Sequence, residues 1–397
     1  MTSITFPSSD NRSLDIDPAF TGLTGDRKIA KAQFPFGKSC WVVADHAEIR
    51  RIYSSDAFTR NIPIPDDAPR VTRAVIARPG SIGGSEGAAH GHARRILRRV
   101  LSREFNAAME PVITGLVSQA LDDIEAAPPP HFDFVSALGD RIPMAVLCHM
   151  LGVPGSDGET LRTSVANVFA DSGGVDVAAT ERALVTLVRY VAELIETRRR
   201  EPGTDLISQL IAISQDENTP LSDSDLLVLG MSLVFAGYET TAVILPKVVL
   251  YLLESPERLT GAYLDDDRYL DELLRLISLG GGETLPWLVR SEVSVCGQVL
   301  QPGEFIVPII GAANLDDDIF DDPTRFDPNR KKCPHLSFGY AEHYCLGSDL
   351  ARMEITAVLS GLRSRFPEVR ISDAENAVVW RTGHALWGLQ SLLLTTS

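Results

Sequence analysis

Residues 335–347 read HLSFGYAEHYCLG and gather two histidines, one cysteine, two glycines and three aromatic residues. The helical pattern that follows predicts a final helix from about Cys345, which puts the thiol at the start of that helix. Unpaired N–H groups and the helix dipole favour a thiolate there and lower the pKa of the cysteine. Gly339 and Gly347 allow the backbone to fold tightly around the sulfur. An isolated cysteine would more often be buried and inert, so the whole cluster has to support a functional interpretation.

A zinc site is one alternative for this segment, built from Cys345, His343 and His335. It lacks a fourth ligand at any usual spacing, so the sequence argues against it. The chain has five cysteines and no CxxC pair, which gives no reason to expect disulfides. The other four cysteines are at positions 40, 148, 296 and 333.

The composition indicates a globular protein, since 44% of the 397 residues are hydrophobic and 23% are charged. The net charge of −16 argues against binding to nucleic acid or to an anionic membrane. The N-terminal residues are polar and lack the pattern of a signal peptide. No run of about 18 apolar residues stands out, so we expect a soluble, cytoplasmic protein without a membrane anchor.

Helical patterns dominate residues 90–280 and 345–366, and strand patterns occupy residues 30–60, 285–312 and the C-terminus. A helix of about 30 residues is predicted after Ser222 or Asp223, which can cap it. It is apolar on nearly every face, which is typical of a helix buried in the middle of a protein. Pro246 should disturb its hydrogen bonding. The sequence therefore predicts a single domain over residues 1–397, mainly α with a minor β portion.

The cysteine segment resembles the FGxGxHxCxG heme-binding loop of the cytochrome P-450 family. The matching residues are Phe338, Gly339, His343, Cys345 and Gly347. The resemblance extends over essentially the whole chain from about residue 40. Ala341 departs from the pattern, because the family usually has a second glycine at that position. Alanine fits there at modest cost if φ is negative and is strained if φ is positive.

A second motif, ELLR, resembles the ExxR pair of the same family. Glu272 and Arg275 are three residues apart and share one helix face, where they can form an ion pair. Arg330, within FDPNR, resembles the third member of that network. Alone, an ExxR match is common on solvated helices, but here it precedes a matching cysteine loop by about 70 residues.

The resemblance implies the cytochrome P-450 fold, with the long central helix over heme b and Cys345 as the axial ligand of the iron. A thiolate ligand favours cleavage of the O–O bond. The two heme propionates need cationic or hydrogen-bonding partners. By resemblance these are His90, Arg94, Arg290 and His343, with His335 as a weaker candidate, and Phe338, Gly339, Gly347, Ala236 and Gly237 also contact the cofactor.

The segment AGYETT in the central helix resembles the acid–alcohol pair with which the family delivers protons to dioxygen. By this resemblance Glu239 relays protons and Thr240 directs them. The chain has no flavin or iron–sulfur motif, so electrons are expected from a ferredoxin. Arg94, Arg95, Arg98, Arg99 and Arg103 form a basic patch in an acidic protein. Arg94 is expected to turn inward to the heme, and the other four could dock the ferredoxin by charge complementarity. A solvated helix face is the alternative for this patch.

By resemblance, the small-molecule substrate contacts the 61–89 loop, the central helix and two later turns. The candidate residues are Phe169, Leu233, Leu285, Trp287, His384 and Trp387. Aromatic walls would suit a flat aromatic substrate. The turn after ELLR, GAANLDDDIF and WRT are similar to bacterial P-450s that oxidise cyclodipeptides, which implies a diketopiperazine substrate in natural-product biosynthesis.

Three functions remain open at this point. The first is a monooxygenase that uses O2, and the second is oxidative coupling of two substrate molecules without insertion of oxygen. The third is a heme sensor or carrier without turnover. The Glu239–Thr240 pair argues against the third, because a sensor has no need of proton delivery.

Overall fold

A computed structural model describes residues 4–7, 13–25, 27–61, 67–72, 80–126, 131–170, 177–216, 220–255, 258, 266–280 and 285–396. The α-helices are α1 (His46–Ser54), α2 (Gly87–Val100), α3 (Arg103–Ala126), α4 (Arg141–Leu151), α5 (Gly158–Phe169), α6 (Val177–Arg200), α7 (Leu206–Gln215), α8 (Asp223–Gly237), α9 (Glu239–Leu253), α10 (Asp267–Leu276), α11 (Ile310–Ala313) and α12 (Ser348–Arg365). The predicted fold class, mainly α with a minor β portion, is confirmed.

The described strands form two larger sheets and a hairpin. They are β1 (Ile4–Thr5), β2 (Ile29–Gln33), β3 (Cys40–Val43), β4 (Phe58–Thr59), β5 (His131–Asp133), β6 (Trp287–Val289), β7 (Val293–Val295), β8 (Gln298–Leu300), β9 (Phe305–Pro308), β10 (Arg370–Ile371), β11 (Val378–Trp380) and β12 (Leu389–Thr395). The first sheet has the order β1-β2-β3-β9-β6-β4. In the second sheet, β12 lies between β10 and β11 and also pairs with β5, while β7 and β8 form the hairpin.

The central helix is interrupted, contrary to the sequence prediction of one continuous helix. A capping box begins α8. The Ser222 side chain accepts a hydrogen bond from the Asp225 N–H, and the Asp225 carboxylate accepts one from the Ser222 N–H. The break is at Tyr238, with φ −118° and ψ −68°, whereas Pro246 lies inside α9, which continues to Leu253. The interruption occurs where Gly237 meets α4, since an added Cβ would lie 3.1 Å from Leu147 Cδ1.

The segment formed by α8 and α9 is long and apolar enough to cross a membrane by length and composition, which the sequence reading had overlooked. Its most apolar stretch is 56% buried inside the protein. A core helix of a soluble protein meets the same criterion, and α9 packs within the main hydrophobic core.

The cysteine loop closes through a hydrogen bond from the Cys345 N–H to the Phe338 carbonyl, at 2.7 Å. Gly339 has φ +73°, and an added Cβ would lie 2.8 Å from the His343 oxygen, so this position requires glycine. Ala341 has φ +51° and is strained, the outcome expected for a positive angle. Gly347 has φ −93°, and no described atom lies within 4 Å of an added Cβ. Its backbone therefore does not require glycine.

A fully buried ion pair connects α10 to the segment before the cysteine loop. Arg275 donates to both carboxylate oxygens of Glu272, at 2.7 and 2.8 Å, and both side chains have no exposed surface. Arg330 Nε adds a third contact to Glu272 at 3.1 Å. Arg275 also donates to the carbonyls of Asn314 and Pro323. The structure thus assembles the predicted three-residue network.

Glu272→Gln should lower the free energy of unfolding by about 3–5 kcal/mol, because it leaves two arginines beside a neutral amide in a buried site. Urea denaturation of the holoenzyme measures the change. The matched control is Arg268→Leu on the exposed side of the same helix, which should have little effect. Equal effects of the two substitutions would contradict a special role for the buried network.

Ala341→Gly should raise the free energy of unfolding by about 0.5–1 kcal/mol. Relief of the left-handed alanine, about 1–2 kcal/mol, exceeds the extra entropy that glycine loses on folding. Thermal or urea unfolding of the holoenzyme measures the gain. Ala108→Gly on the exposed face of α3 has the opposite expected sign, and a loss of stability in both variants would refute the strain at Ala341.

Candidate functional site

A cavity of about 390 Å³ lies between the central helix and the cysteine loop. Its volume is in the range of small-molecule and cofactor sites. On the cysteine side the lining includes Phe338, Gly339, His343, Cys345 and Gly347. On the opposite side it includes Leu233, Ala236, Gly237, Thr240 and Leu285. The fold therefore brings the predicted cysteine loop and the AGYETT segment to one cavity.

Cys345 precedes its helix rather than lying in its first turn, because α12 begins at Ser348. Burial raises the pKa of the Cys345 thiol, while the Gly347 N–H and Arg94 oppose this shift. The prediction that Cys345 lies in the first turn of the final helix is therefore wrong. Metal coordination overrides such a penalty, since a coordinating thiol is deprotonated. The position suits a thiolate ligand that is stabilised by the metal itself.

One end of the cavity collects nitrogen atoms that lack partners. Arg94 and His90 lie on one face of α2, and the His90 ring stacks on His343 with 4.8 Å between centroids. Arg94 donates to the Tyr344 carbonyl at 2.8 Å, but its Nε has no partner among the described residues. Both ring nitrogens of His90 and Nε2 of His343 also lack a hydrogen bond among the described residues, although the Glu342 carboxylate lies 3.7 Å from His90 Nδ1 and 4.0 Å from His343 Nε2. Burial, then Arg60, lowers the pKa of His343 to about 3.

These unpaired nitrogens are the observation that tests whether heme fits. Buried polar groups are normally hydrogen-bonded, so a cluster of them indicates a missing ligand. Two carboxylates at this end would satisfy them, and the sulfur of Cys345 faces the same cavity. The donor set therefore fits an iron porphyrin with two propionates.

Two residues predicted to contact the propionates are placed elsewhere. Arg290 is exposed and does not line the cavity, because β6 alternates and directs Trp287 and Val289 inward but Arg290 outward. His335 lies 3.3 Å from Asp271 Oδ1 and accepts from the Ser337 N–H, so its ring is already partnered outside the cavity. Both predictions are wrong.

The sequence reading missed Arg60, which is 9% exposed and lines the cavity. It directly follows β4 and stands one residue before the loop that was assigned to the substrate. A lone arginine between a buried strand and a proline-rich segment was the available signal. Nothing in the sequence alone indicated which way the side chain turns.

The two residues of the acid–alcohol pair face different directions. Thr240 lines the cavity and donates to the Ala236 carbonyl at 3.0 Å. Glu239 is fully buried behind the helix, where its Oε1 accepts from Arg381 Nη2 at 2.5 Å. Its Oε2 has no partner among the described residues. Burial raises the pKa of the neighbouring Asp140 to about 6, with Arg381 opposing the shift.

Four of the six predicted substrate residues lie outside the cavity lining. Trp387 is 2% exposed and stacks on Phe6 at 6.0 Å, and Trp287 is equally buried. Phe169 packs edge-on to Phe235 in the helical core. His384 is half-buried, and burial lowers its pKa to about 4. Phe169, Trp287 and Trp387 belong to the hydrophobic cores, whereas Leu233 and Leu285 line the cavity.

Comparisons with known proteins agree with this site. A family model described as cytochrome P450 matches residues 263–375. Nocardicin C N-oxygenase from Nocardia uniformis subsp. tsuyamanensis is 34% identical, with 96% of each chain covered. The crystal structure of HinD with NMFT and NO has a TM-score of 0.91 at 28% identity, with both chains fully covered. That of cytochrome P450mel 107F1 with biaryl coupling reactivity has a TM-score of 0.90 at 27% identity and covers 99% of this chain and 100% of that one.

The 34% identity extends over almost the full length of both proteins and coincides with a shared fold. The cysteine loop, the buried ExxR network and the unpaired nitrogens at the cavity end are the local features of the same assignment. The chain therefore belongs to the cytochrome P450 family and is a monooxygenase of that family, with heme b as its cofactor.

Proposed function

We propose that this monooxygenase oxidises a small, uncharged and mainly apolar molecule in bacterial natural-product biosynthesis, with electrons from a ferredoxin. The observation that carries the proposal is the composition of the cavity wall. Residues from α8 and α9 that line it are aliphatic, small or hydroxyl-bearing. The charged side chains of the described lining are Arg60, Arg94 and Glu354, and none of them comes from the central helix.

Heme b, when bound, supplies the activation of dioxygen and the oxidation of the substrate. Cys345 provides the thiolate, and the small residues Ala236 and Gly237 leave space on the opposite side. The Thr240 hydroxyl faces this space and can donate a proton or orient a donor. Glu239 faces away from the cavity and is paired with Arg381, so it can relay protons to Thr240 only when that contact breaks.

An aromatic cyclodipeptide is the more specific substrate within this proposal. Its support is the set of sequence similarities in the turns near residues 285, 314 and 380. The predicted aromatic wall of the pocket gives no further support to an aromatic cyclodipeptide, because Trp287 and Trp387 are core residues. The natural-product setting is supported by the relative named nocardicin C N-oxygenase.

Oxidative coupling is a second candidate. The specific observation in its favour is the TM-score of 0.90 to the cytochrome P450mel structure, which is described as having biaryl coupling reactivity. Coupling removes one hydrogen atom from each of two substrate molecules and joins them, whereas oxygenation adds one oxygen atom. The mass of the product separates the two reactions.

Titration of the holoenzyme with cyclodipeptides should shift the Soret band when a ligand displaces water from the heme. Neutral members with tryptophan or tyrosine should bind more tightly than matched members that carry lysine or aspartate, because the cavity wall along the central helix has no described counterion. If no aromatic member shifts the band, the cyclodipeptide is excluded. Tighter binding of the charged members would contradict the uncharged substrate.

Thr240→Val should lower the product formed per oxygen consumed by about 10-fold or more, with hydrogen peroxide in its place, because a proton donor is lost. Oxygen-electrode, peroxide and mass-spectrometric measurements with a surrogate ferredoxin system provide the readout. Thr240→Ser keeps the hydroxyl and should retain most of the coupling. A Val variant with normal coupling would remove Thr240 from proton delivery, and absence of turnover with every ligand that binds would favour a sensor or carrier.

The basic face near the cysteine side is the proposed ferredoxin surface. Arg98, on the same helix as Arg94, and Arg103, at the start of α3, are exposed near the junction of α2 and α3. Charge reversal of both should slow electron transfer at low ionic strength by about 10-fold, and salt should reduce the difference. Arg189→Glu, exposed on α6, is the control. A cytoplasmic location is part of this proposal, since the donor must reach that face.

A further inference from the structure

The cavity contains a buried arginine that the family motifs do not account for. Arg60 is 9% exposed, lines the cavity, and has no partner for its Nε among the described residues. No carboxylate in the described part of the chain forms an ion pair with its guanidinium. A buried cation without a counterion is costly. Its presence therefore indicates an anionic group that belongs to the occupied site.

The surrounding residues hold Arg60 in this position. Its backbone N–H donates to Glu86 Oε1 at 2.7 Å, and Thr59 donates to the other oxygen of the same carboxylate at 2.6 Å. Its Cζ lies 4.3 Å from the ring centroid of Trp287 and 4.9 Å from that of Tyr53. Its Nη2 donates to Tyr53 Oη at 3.2 Å. Two aromatic rings thus position the guanidinium without neutralising it.

Trp287 supplies a second unpaired donor next to this cation. The indole Nε1–H can only donate, and it has no acceptor among the described residues although the side chain is 2% exposed. The ring meets His343 edge-on, with 5.4 Å between centroids and an interplanar angle of 88°. The ring centroid of Tyr53 lies 5.2 Å from that of Trp287 and 6.1 Å from that of His343. Arg60 therefore borders the same end of the cavity as His343, and Trp287 packs against both side chains without itself lining the cavity.

We propose that Arg60 and the Nε1–H of Trp287 bind one heme propionate, in the role that the sequence assigned to Arg290. Arg94 and His90, on α2, remain for the other propionate. A carboxylate between the guanidinium and the indole N–H satisfies both orphaned donors at once. Bonds to a charged acceptor are the stronger class of hydrogen bond, so the pair anchors the cofactor. Trp287 thus has a ligand-binding role in place of the predicted contact with substrate.

The test measures heme loss from the holoenzyme to an excess of apomyoglobin. Arg60→Met removes the charge at similar length and should accelerate heme loss by about 10- to 100-fold, the effect of losing a hydrogen bond to a charged group. Arg60→Lys should restore part of the retention. Trp287→Phe keeps the ring and removes the donor, and it should give a smaller acceleration. Arg290→Met, the exposed matched control, should stay within about twofold of the parent.

The reduction potential of the heme separates propionate binding from a purely structural role. Removing a cation near the heme favours the ferric form, so Arg60→Met should lower the potential and Arg60→Lys should return it toward the parent value. A structural role alone would lower the unfolding temperature and leave the potential unchanged. The proposal is overturned by parental heme loss in Arg60→Met, by an unchanged potential, or by an equal effect of Arg290→Met.

Discussion

The carboxylate of Glu272 has no contact with solvent and is shared by Arg275 and Arg330. Burial alone would raise its pKa, but hydrogen bonds from Arg275 and the attraction of that cation hold the pKa below its usual value. The two arginines also bond carbonyls of the segment before the cysteine loop. Asn314 in that segment bonds both Leu336 and Ser337 at the loop itself. The position of Cys345 thus depends on one charge that water cannot screen.

Two groups that line one cavity need ligand atoms of opposite charge: the Cys345 sulfur needs a cation, and a set of buried nitrogens needs anionic acceptors. On the cysteine side, Cys345 is exposed to the cavity, but desolvation by the surrounding protein raises the pKa of its thiol. At the end of the cavity, buried nitrogens of His90, Arg94 and Arg60 lack acceptors. A single ligand that carries a metal cation and two carboxylates removes all of these penalties together. Binding free energy of this kind adds to the stability of the folded state, so heme retention and fold stability are linked.

The sequence was most informative where chemistry and spacing coincide. The cysteine loop and the apolar central segment line one cavity, and the Glu272–Arg275 pair is buried on α10 as its motif predicted. The strain at Ala341 was also foreseeable, because it depends on the sign of one angle. These features are local, or they join short motifs with specific partners.

Side-chain direction was the part that the sequence could not supply. Trp387 and Trp287 look alike as candidates for a pocket wall, yet packing against Phe6 and the sheet buries both of them. Arg290 faces outward because it follows the inward-facing Val289 in the strand alternation. Arg60, which directly follows β4, faces the cavity instead. The break at Tyr238 lies beside Gly237, where the central helix meets α4, a helix far away in sequence. The contact between Glu239 and Arg381 spans 142 residues. Because loss of Arg381 would leave the Glu239 carboxylate buried without this cation, the acid of the central helix and the C-terminal turn are energetically coupled.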